Sequence, residues 1–305
     1  MANKVYSKLD TIPTGVASDK ITKGCLVLEG GAFRGLYTEG VLDVLMENDI
    51  NFEATVGVSA GALNGCNYVS GQIGRAALIN LKYRHDERYV GTKAFLKNKG
   101  VIGFDFIMGE LDGIPSLDTK RLFDKKRKLV ACASNLRTAE TTYFDSTVNR
   151  HDVFLKGVQA SATMPYISRP VVINKMPYLD GGCIKKIPYE WALKEGYEKI
   201  VVVRTRNLEF RKKPNYERRR RITKLFYPRY KAFNDALAHS HDGYNAECEE
   251  VIKLMNEKRV FCIAPSEPVT IGRLEGDMDK LAALYFLGRK DALAMLDDLK
   301  KYLED

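Results

Sequence analysis

The sequence predicts an α/β fold with a mainly parallel sheet covered by helices on both sides. Three observations carry this. Short apolar runs, Cys25-Leu26-Val27-Leu28 and Ala54-Thr55-Val56-Gly57-Val58, suit strands buried on both faces. Each run ends in a glycine turn, Gly30-Gly31 or Gly57-Val58-Ser59-Ala60-Gly61, and passes into a helix-like stretch. The strand–turn–helix unit then repeats, as parallel strands joined by covering helices require. The 305 residues, 45% hydrophobic and 29% charged, allow one large domain with a sizeable core and exclude a disordered chain.

The elements come in this order. Residues 1–23 are polar and are expected to be a loose lead-in, without the apolar core of a secretory signal. Leu36, Val41, Val44 and Leu45 predict a helix ending near Asn48, and a small-residue helix runs from Ala62 to about Val69. The stretch from His85 to Arg127 mixes helix and loop and could cap a site at the strand ends. Further strands are expected at Leu129–Ala133, Thr141–Phe144, Val171–Ile173, Lys199–Val203 and Val260–Ile263. Two helices close the chain over 277–304. Leu281, Leu284 and Leu287 are expected on the apolar face of the first, and Leu293, Leu296, Leu299 and Leu303 on that of the second. The division expected is lead-in 1–23, catalytic domain 24–205, then a basic connector and helical C-terminal region over 206–305. No stretch reaches the roughly 20 apolar residues of a membrane span. The six cysteines form no Cys-x-x-Cys pair, so neither a zinc site nor a disulfide framework is indicated and a reducing cytoplasm is the default.

Three motifs carry chemistry. Gly57-Val58-Ser59-Ala60-Gly61 is Gly-x-Ser-x-Gly between a strand and a helix. A sharp turn there would project the Ser59 hydroxyl above the sheet, with the helix N-terminus favouring developing negative charge; a plain capping serine remains the alternative. Gly30-Gly31-Ala32-Phe33-Arg34-Gly35 can turn several amides toward one point. It reads as an oxyanion hole, as a phosphate loop of a dinucleotide fold, or as a tight turn. The dinucleotide reading wants an acid at the end of the next strand, where Gly57-Val58-Ser59 stands instead. Asp180-Gly181-Gly182 follows the short apolar Tyr178-Leu179 and reads as an aspartate brought close to another backbone, or as an Asx turn.

Together, and in this order, these motifs resemble those of the patatin-like phospholipase family, over roughly Cys25 to Val203. Ala160-Ser161-Ala162-Thr163-Met164-Pro165 is similar to that family's Ala-Ser-x-Ala-x-Pro stretch. The resemblance implies a three-layer α/β/α domain, a catalytic pair of Ser59 and Asp180, and an oxyanion hole from the amides of Gly30, Gly31, Ala32, Phe33 and Arg34. Arg34 falls on the family's basic position. Glu29 stands where the family often has Asp, and Ala32 where it often has a third Gly; the amide is retained if φ at Ala32 is negative. The implied activity is hydrolysis of lipid esters through an acyl-enzyme, with no metal or organic cofactor. Two rivals remain at this point. One is a Ser-Asp-His α/β-hydrolase using His239 or His241; the other is a lipid- or nucleic-acid-binding protein on the same fold that has lost the chemistry.

The net charge of +9 is not spread evenly. Residues 204–231 hold twelve Lys and Arg against two acidic residues, and the remainder of the chain is close to neutral at −1. Aromatics interleave this basic run. It reads as a contact for an anionic membrane surface in preference to nucleic acid, or as a solvated charged face. The expected location is cytoplasmic, and peripheral at the inner membrane face if that contact is made.

Overall fold

Buried apolar runs, alternating between two cores, set the frame. The computed structural model describes residues 4–304. Its strands are β1 Gly15–Val16, β2 Thr22–Leu28, β3 Phe52–Val58, β4 Gln72–Ile73, β5 Lys128–Asn135, β6 Thr141–Asp145, β7 Val171–Ile173, β8 Met176–Asp180, β9 Ile200–Val203 and β10 Phe261–Ile263. The helices are α1 Gly35–Glu47, α2 Ala60–Val69, α3 Arg75–Tyr83, α4 Thr92–Asn98, α5 Phe104–Met108, α6 Thr119–Leu122, α7 His151–Ser161, α8 Tyr189–Lys194, α9 Tyr216–Phe226, α10 Lys231–Asn256, α11 Met278–Ala294 and α12 Leu296–Glu304.

The main sheet has the order β10-β9-β2-β3-β5-β8-β7, with β6 also paired to β5. Strands β10, β9, β2, β3 and β5 are parallel, and β6, β7 and β8 join antiparallel. Alternation along β2 divides the interior. Leu26 and Leu28 face a core with Tyr37 and Val41 of α1 and Leu281 of α11. Cys25 and Val27 face the other, with Ala192 of α8 and Tyr244, Cys248 and Val251 of α10. This is the three-layer α/β/α arrangement that the sequence predicts.

Strand register then brings two distant segments together. Rungs 130–132 of β5 are shared by β3 and β6, and rungs 133–134 by β6 and β8. A strand has two edges, so β3 and β8 lie end to end along the same edge of β5. Val58 is opposite Cys132 and Asp180 is opposite Ala133, the next rung. Ser59 therefore leaves β3 where Asp180 ends β8.

The C-terminal helices are fastened to this frame. The Tyr285 hydroxyl of α11 donates to Asp43 Oδ2 of α1 at 2.7 Å, and the Tyr37 hydroxyl donates to Asp291 Oδ2 at 3.1 Å. Two expectations are corrected. Residues 4–23 are not loose: Tyr6 N donates to the Leu81 carbonyl at 3.0 Å, β1 pairs with β4, and Ile12 and Ala17 are buried. A few apolar anchors suffice to dock a polar segment; residues 1–3 lie outside the described range. Leu293 is 52% exposed and belongs to α11, because that helix runs on to Ala294 and carries it to the solvent side.

Candidate active site

Ser59 occupies the elbow between β3 and α2 with φ 56° and ψ −122°. A non-glycine residue there costs about 1–3 kcal/mol, held by its surroundings. The turn closes only because Gly61 has no side chain: a Cβ would lie 2.5 Å from the Leu28 carbonyl oxygen. The turn after β8 needs the same economy, since a Cβ on Gly181 would lie 2.2 Å from the Cys132 carbonyl oxygen.

The Ser59 hydroxyl donates to Asp180 Oδ2 at 2.6 Å, and Asp180 Oδ1 accepts from the Gly182 amide at 2.7 Å. Both side chains are buried. Burial pushes the Asp180 carboxyl above its ordinary value, against the stabilising Ser59 hydroxyl and Gly182 amide and the charges of Arg273 and Lys186. A carboxylate so raised is a stronger base than a solvated one. The Ala160–Pro165 block fastens both ends of the pair. Ser59 N donates to Ser161 Oγ at 2.9 Å, and Asp180 N donates to the Thr163 carbonyl at 2.8 Å. Ser134 Oγ adds a bond to the Asp180 carbonyl at 2.9 Å.

The glycine-rich turn leaves fewer amides free than the oxyanion-hole expectation requires. The Gly30 amide donates to the Lys186 carbonyl, Phe33 to Arg273, and Arg34 to Gly31. Three of the five expected amides are thus already bonded, which removes Gly30, Phe33 and Arg34 as oxyanion donors. Among the described residues, the Gly31 and Ala32 amides have no protein acceptor. Ala32 also departs from expectation: its φ is +50°, not negative. The turn demands left-handed backbone there, and alanine adopts it at a cost of about 1–2 kcal/mol.

Ser59 and Ala32 line two cavities. One is a narrow cleft of about 70 Å³ walled by Leu63, Ile79, Ile102, Ile107 and Met108. The segment after His85 does cap the site, as its position in the sequence suggests. The other is a chamber of about 540 Å³ lined by Arg34, Lys186, Arg206, Lys212, Arg219 and Arg273. The basic run is therefore not one surface. Arg204 is wholly buried, beside Glu29 at 3.8 Å, and Arg206, Lys212 and Arg219 turn toward the chamber, while Arg218, Arg221 and Lys224 are exposed. The chain leaves β9 and folds back across α10, which aims alternate parts of the run inward. Sequence reasoning missed Lys186 and passed over Arg273; neither carries a local signal, and only the fold gathers them.

His239 and His241 are bonded to other groups, although His241 lines the same chamber as Ser59 and Asp180. His241 bonds Arg219 and the Lys213 carbonyl, and His239 lies against Tyr216 and the Asp235 carbonyl. Neither hydrogen-bonds Ser59 or Asp180. Among the described residues, no cluster of His, Cys, Asp or Glu is arranged to hold a metal ion.

Known proteins share both the sequence pattern and the fold. A family model described as patatin-like phospholipase matches residues 26–193, and a domain of unknown function, DUF6363, matches residues 230–304. YjjU, an uncharacterized protein of Escherichia coli (strain K12), is 28% identical over 269 residues, covering 87% of this chain and 74% of its own length. A probable lipid hydrolase, 463L, of Invertebrate iridescent virus 6 is 27% identical over 184 residues, 55% of this chain and 63% of its own. The crystal structure of VipD from Legionella pneumophila shares the fold, with a TM-score of 0.50 and 14% identity over 97% of this chain and 70% of that one.

Proposed function

The chain belongs to the patatin-like phospholipase family, and from that premise we propose that it is a serine acyl hydrolase cleaving lipid esters through Ser59 and Asp180. The observation that carries this reading is the 2.6 Å bond from the Ser59 hydroxyl to the buried Asp180 carboxylate, at a helix N-terminus and next to two unbonded amides. The lipid hydrolase named among the relatives supports the substrate class.

On this reading the steps are these. Asp180 takes the Ser59 proton as Oγ attacks the ester carbonyl. The Gly31 and Ala32 amides receive the oxyanion, each such donor being worth about 3 kcal/mol. Collapse of the tetrahedral species expels the alcohol, which recovers the proton from Asp180. Water then attacks the acyl-enzyme with Asp180 again as base, releasing the fatty acid and restoring Ser59. Direct contact compensates for the modest basicity of a carboxylate. The histidine bonding described above favours this two-residue chemistry over a triad.

The exposed Arg218, Arg221 and Lys224, with Leu225 and Phe226 exposed beside them, would present the site to an anionic bilayer. No helix among the described residues is long and apolar enough to cross one. The catalytic reading is tested by fluorophosphonate labelling. Folded wild type is expected to be labelled at Ser59 and the Ser59→Ala variant to remain unlabelled; equal labelling of the two would falsify it.

A further inference from the structure

Resting on that hydrolase reading, we propose that the narrow cleft beside Ser59 takes an acyl chain that carries a hydroxyl, and that Glu39 of α1 recognises this hydroxyl. The cleft is not apolar throughout: among its aliphatic walls stand Glu39, Asn64 and Asn80. Glu39 is 4% exposed. Its Oε1 accepts from Asn80 Nδ2 at 2.8 Å, and its Oε2 is buried without a hydrogen-bond partner. Among the described residues no cation pairs with it. Arg75, the cation on the same wall, is spent on Asn67 Oδ1 and on the carbonyls of Pro115, Ile107 and Gly109.

The next turn of α1 supplies the contrast. Asp43 is buried too, but its Oδ1 accepts from the Gly74 amide at 2.9 Å and its Oδ2 from the Tyr285 hydroxyl at 2.7 Å. The fold thus satisfies both oxygens of the acid that fastens α11 and leaves one oxygen open on the acid that lines the cleft. A buried polar atom without a partner is costly, and one on a cleft wall is completed by what the cleft binds.

The hydrogen bonds also say which chemistry completes it. Burial, reinforced by Asp43 and opposed by Asn80, holds the Glu39 carboxyl well above the ordinary carboxylate range and so favours the neutral acid. Asn80 is fixed in orientation, because its Oδ1 accepts from the Tyr89 hydroxyl at 2.6 Å and its Nδ2 donates to the Ala76 carbonyl as well as to Glu39. Glu39 Oε1 is therefore an acceptor, and the acid proton belongs on the unpartnered Oε2. Asn64 Nδ2 donates to the Gly35 carbonyl, one turn before Glu39, at 3.0 Å, and its Oδ1 has no donor among the described residues. Glu39 offers a donor and Asn64 an acceptor, the two bonds that a hydroxyl makes at once and an ammonium does not. Ala60, Leu63, Asn64 and Asn67 line the cleft, so it runs along α2 away from Ser59. Asn64 stands about 5.4 Å, one turn, beyond Ala60. The hydroxyl therefore belongs several carbons from the ester and not beside it.

Calorimetry on Ser59→Ala, which does not turn its ligands over, tests this with three probes: methyl octanoate, methyl 2-hydroxyoctanoate and methyl 6-hydroxyoctanoate. The 6-hydroxy ester is expected to bind at least about tenfold tighter than either other probe, because a site built around a hydroxyl leaves its own buried groups unpaired when the analogue lacks one. Adding Glu39→Met, with folding checked by circular dichroism, is expected to abolish that preference. Adding Glu39→Gln, which keeps a donor and an acceptor, is expected to retain most of it. Methyl octanoate binding as tightly as the 6-hydroxy ester overturns the proposal, as does a preference that survives Glu39→Met or a failure of all three esters to bind. Equal binding of the two hydroxy esters overturns the assignment to Glu39, since the hydroxyl is then read beside the ester. Absence of fluorophosphonate labelling in wild type with the hydroxyl preference intact strikes only the hydrolase reading.

Discussion

The two walls of the site are built by opposite means. The apolar cleft comes mainly from α2, α3 and the segment around α5, within the first 108 residues, with Ala162, Met164 and Leu274 completing its lining. The cationic chamber draws Lys186, Arg206, Lys212, Arg219 and Arg273 from the second half of the chain. Ser59 and Asp180 stand on the seam. Residues 26–193, the part that matches the family, therefore contain the seam and the apolar wall apart from Leu274, whereas four of the six chamber cations lie beyond them. On the proposed chemistry, the reaction and the hold on the acyl chain belong largely to the shared segment, and the cationic wall belongs largely to the residues C-terminal to it.

The largest effect is expected at the seam. Asp180→Asn keeps the shape but removes the base, and kcat for ester hydrolysis is expected to fall on the order of 10²–10⁴-fold. The same residue sets the acid limb of the pH profile. Burial raises the Asp180 pKa, and only the ionised form accepts the Ser59 proton. Activity is therefore lost as pH falls through a value above the ordinary ~3.9 of aspartate. The rate of fluorophosphonate labelling against pH reads this directly. A limb at or below the ordinary value would mean that burial does not govern the carboxylate.

The next test separates the walls. Leu63→Asn places an amide in the apolar cleft without touching the chamber. It is expected to cut kcat/KM for an octanoyl ester about tenfold, mostly through KM, and to cost much less for an acetyl ester that does not reach the cleft. Equal losses on both chain lengths would show that the cleft does not hold the acyl chain.

How much of this is legible in the sequence depends on the kind of information each wall needs. Strands β2, β3, β5 and β9 can be read because burial on both faces leaves near-continuous apolar runs. Ser59 and Asp180 can be singled out because tight turns and close backbone approach demand glycine beside them. Their meeting is not readable from spacing: it depends on β6 occupying the far edge of β5 so that β3 and β8 share the near one. Ala32 hides its left-handed backbone because alanine rarely adopts it. The basic run is visible as charge, yet composition carries no direction. Arg218 and Arg219 are neighbours in sequence, one exposed and one turned to the chamber.

That divergence within one helix supports the smallest and most discriminating prediction. If the outward half of the run meets anionic lipid, removing one exposed charge by Lys224→Ala should weaken sedimentation with phosphatidylserine-containing vesicles about fivefold, as ~1 kcal/mol per surface cation implies. Hydrolysis of a soluble short-chain ester should stay unchanged, because Lys224 lines neither cavity. Lys212→Gln, at an inward position of the run, should retain vesicle binding. Helix α9 supplies Arg219 to the chamber and Lys224 to the solvent. Equal loss of vesicle binding in the Lys224 and Lys212 variants would mean that the inward and outward halves of the run act as a single anion-binding surface.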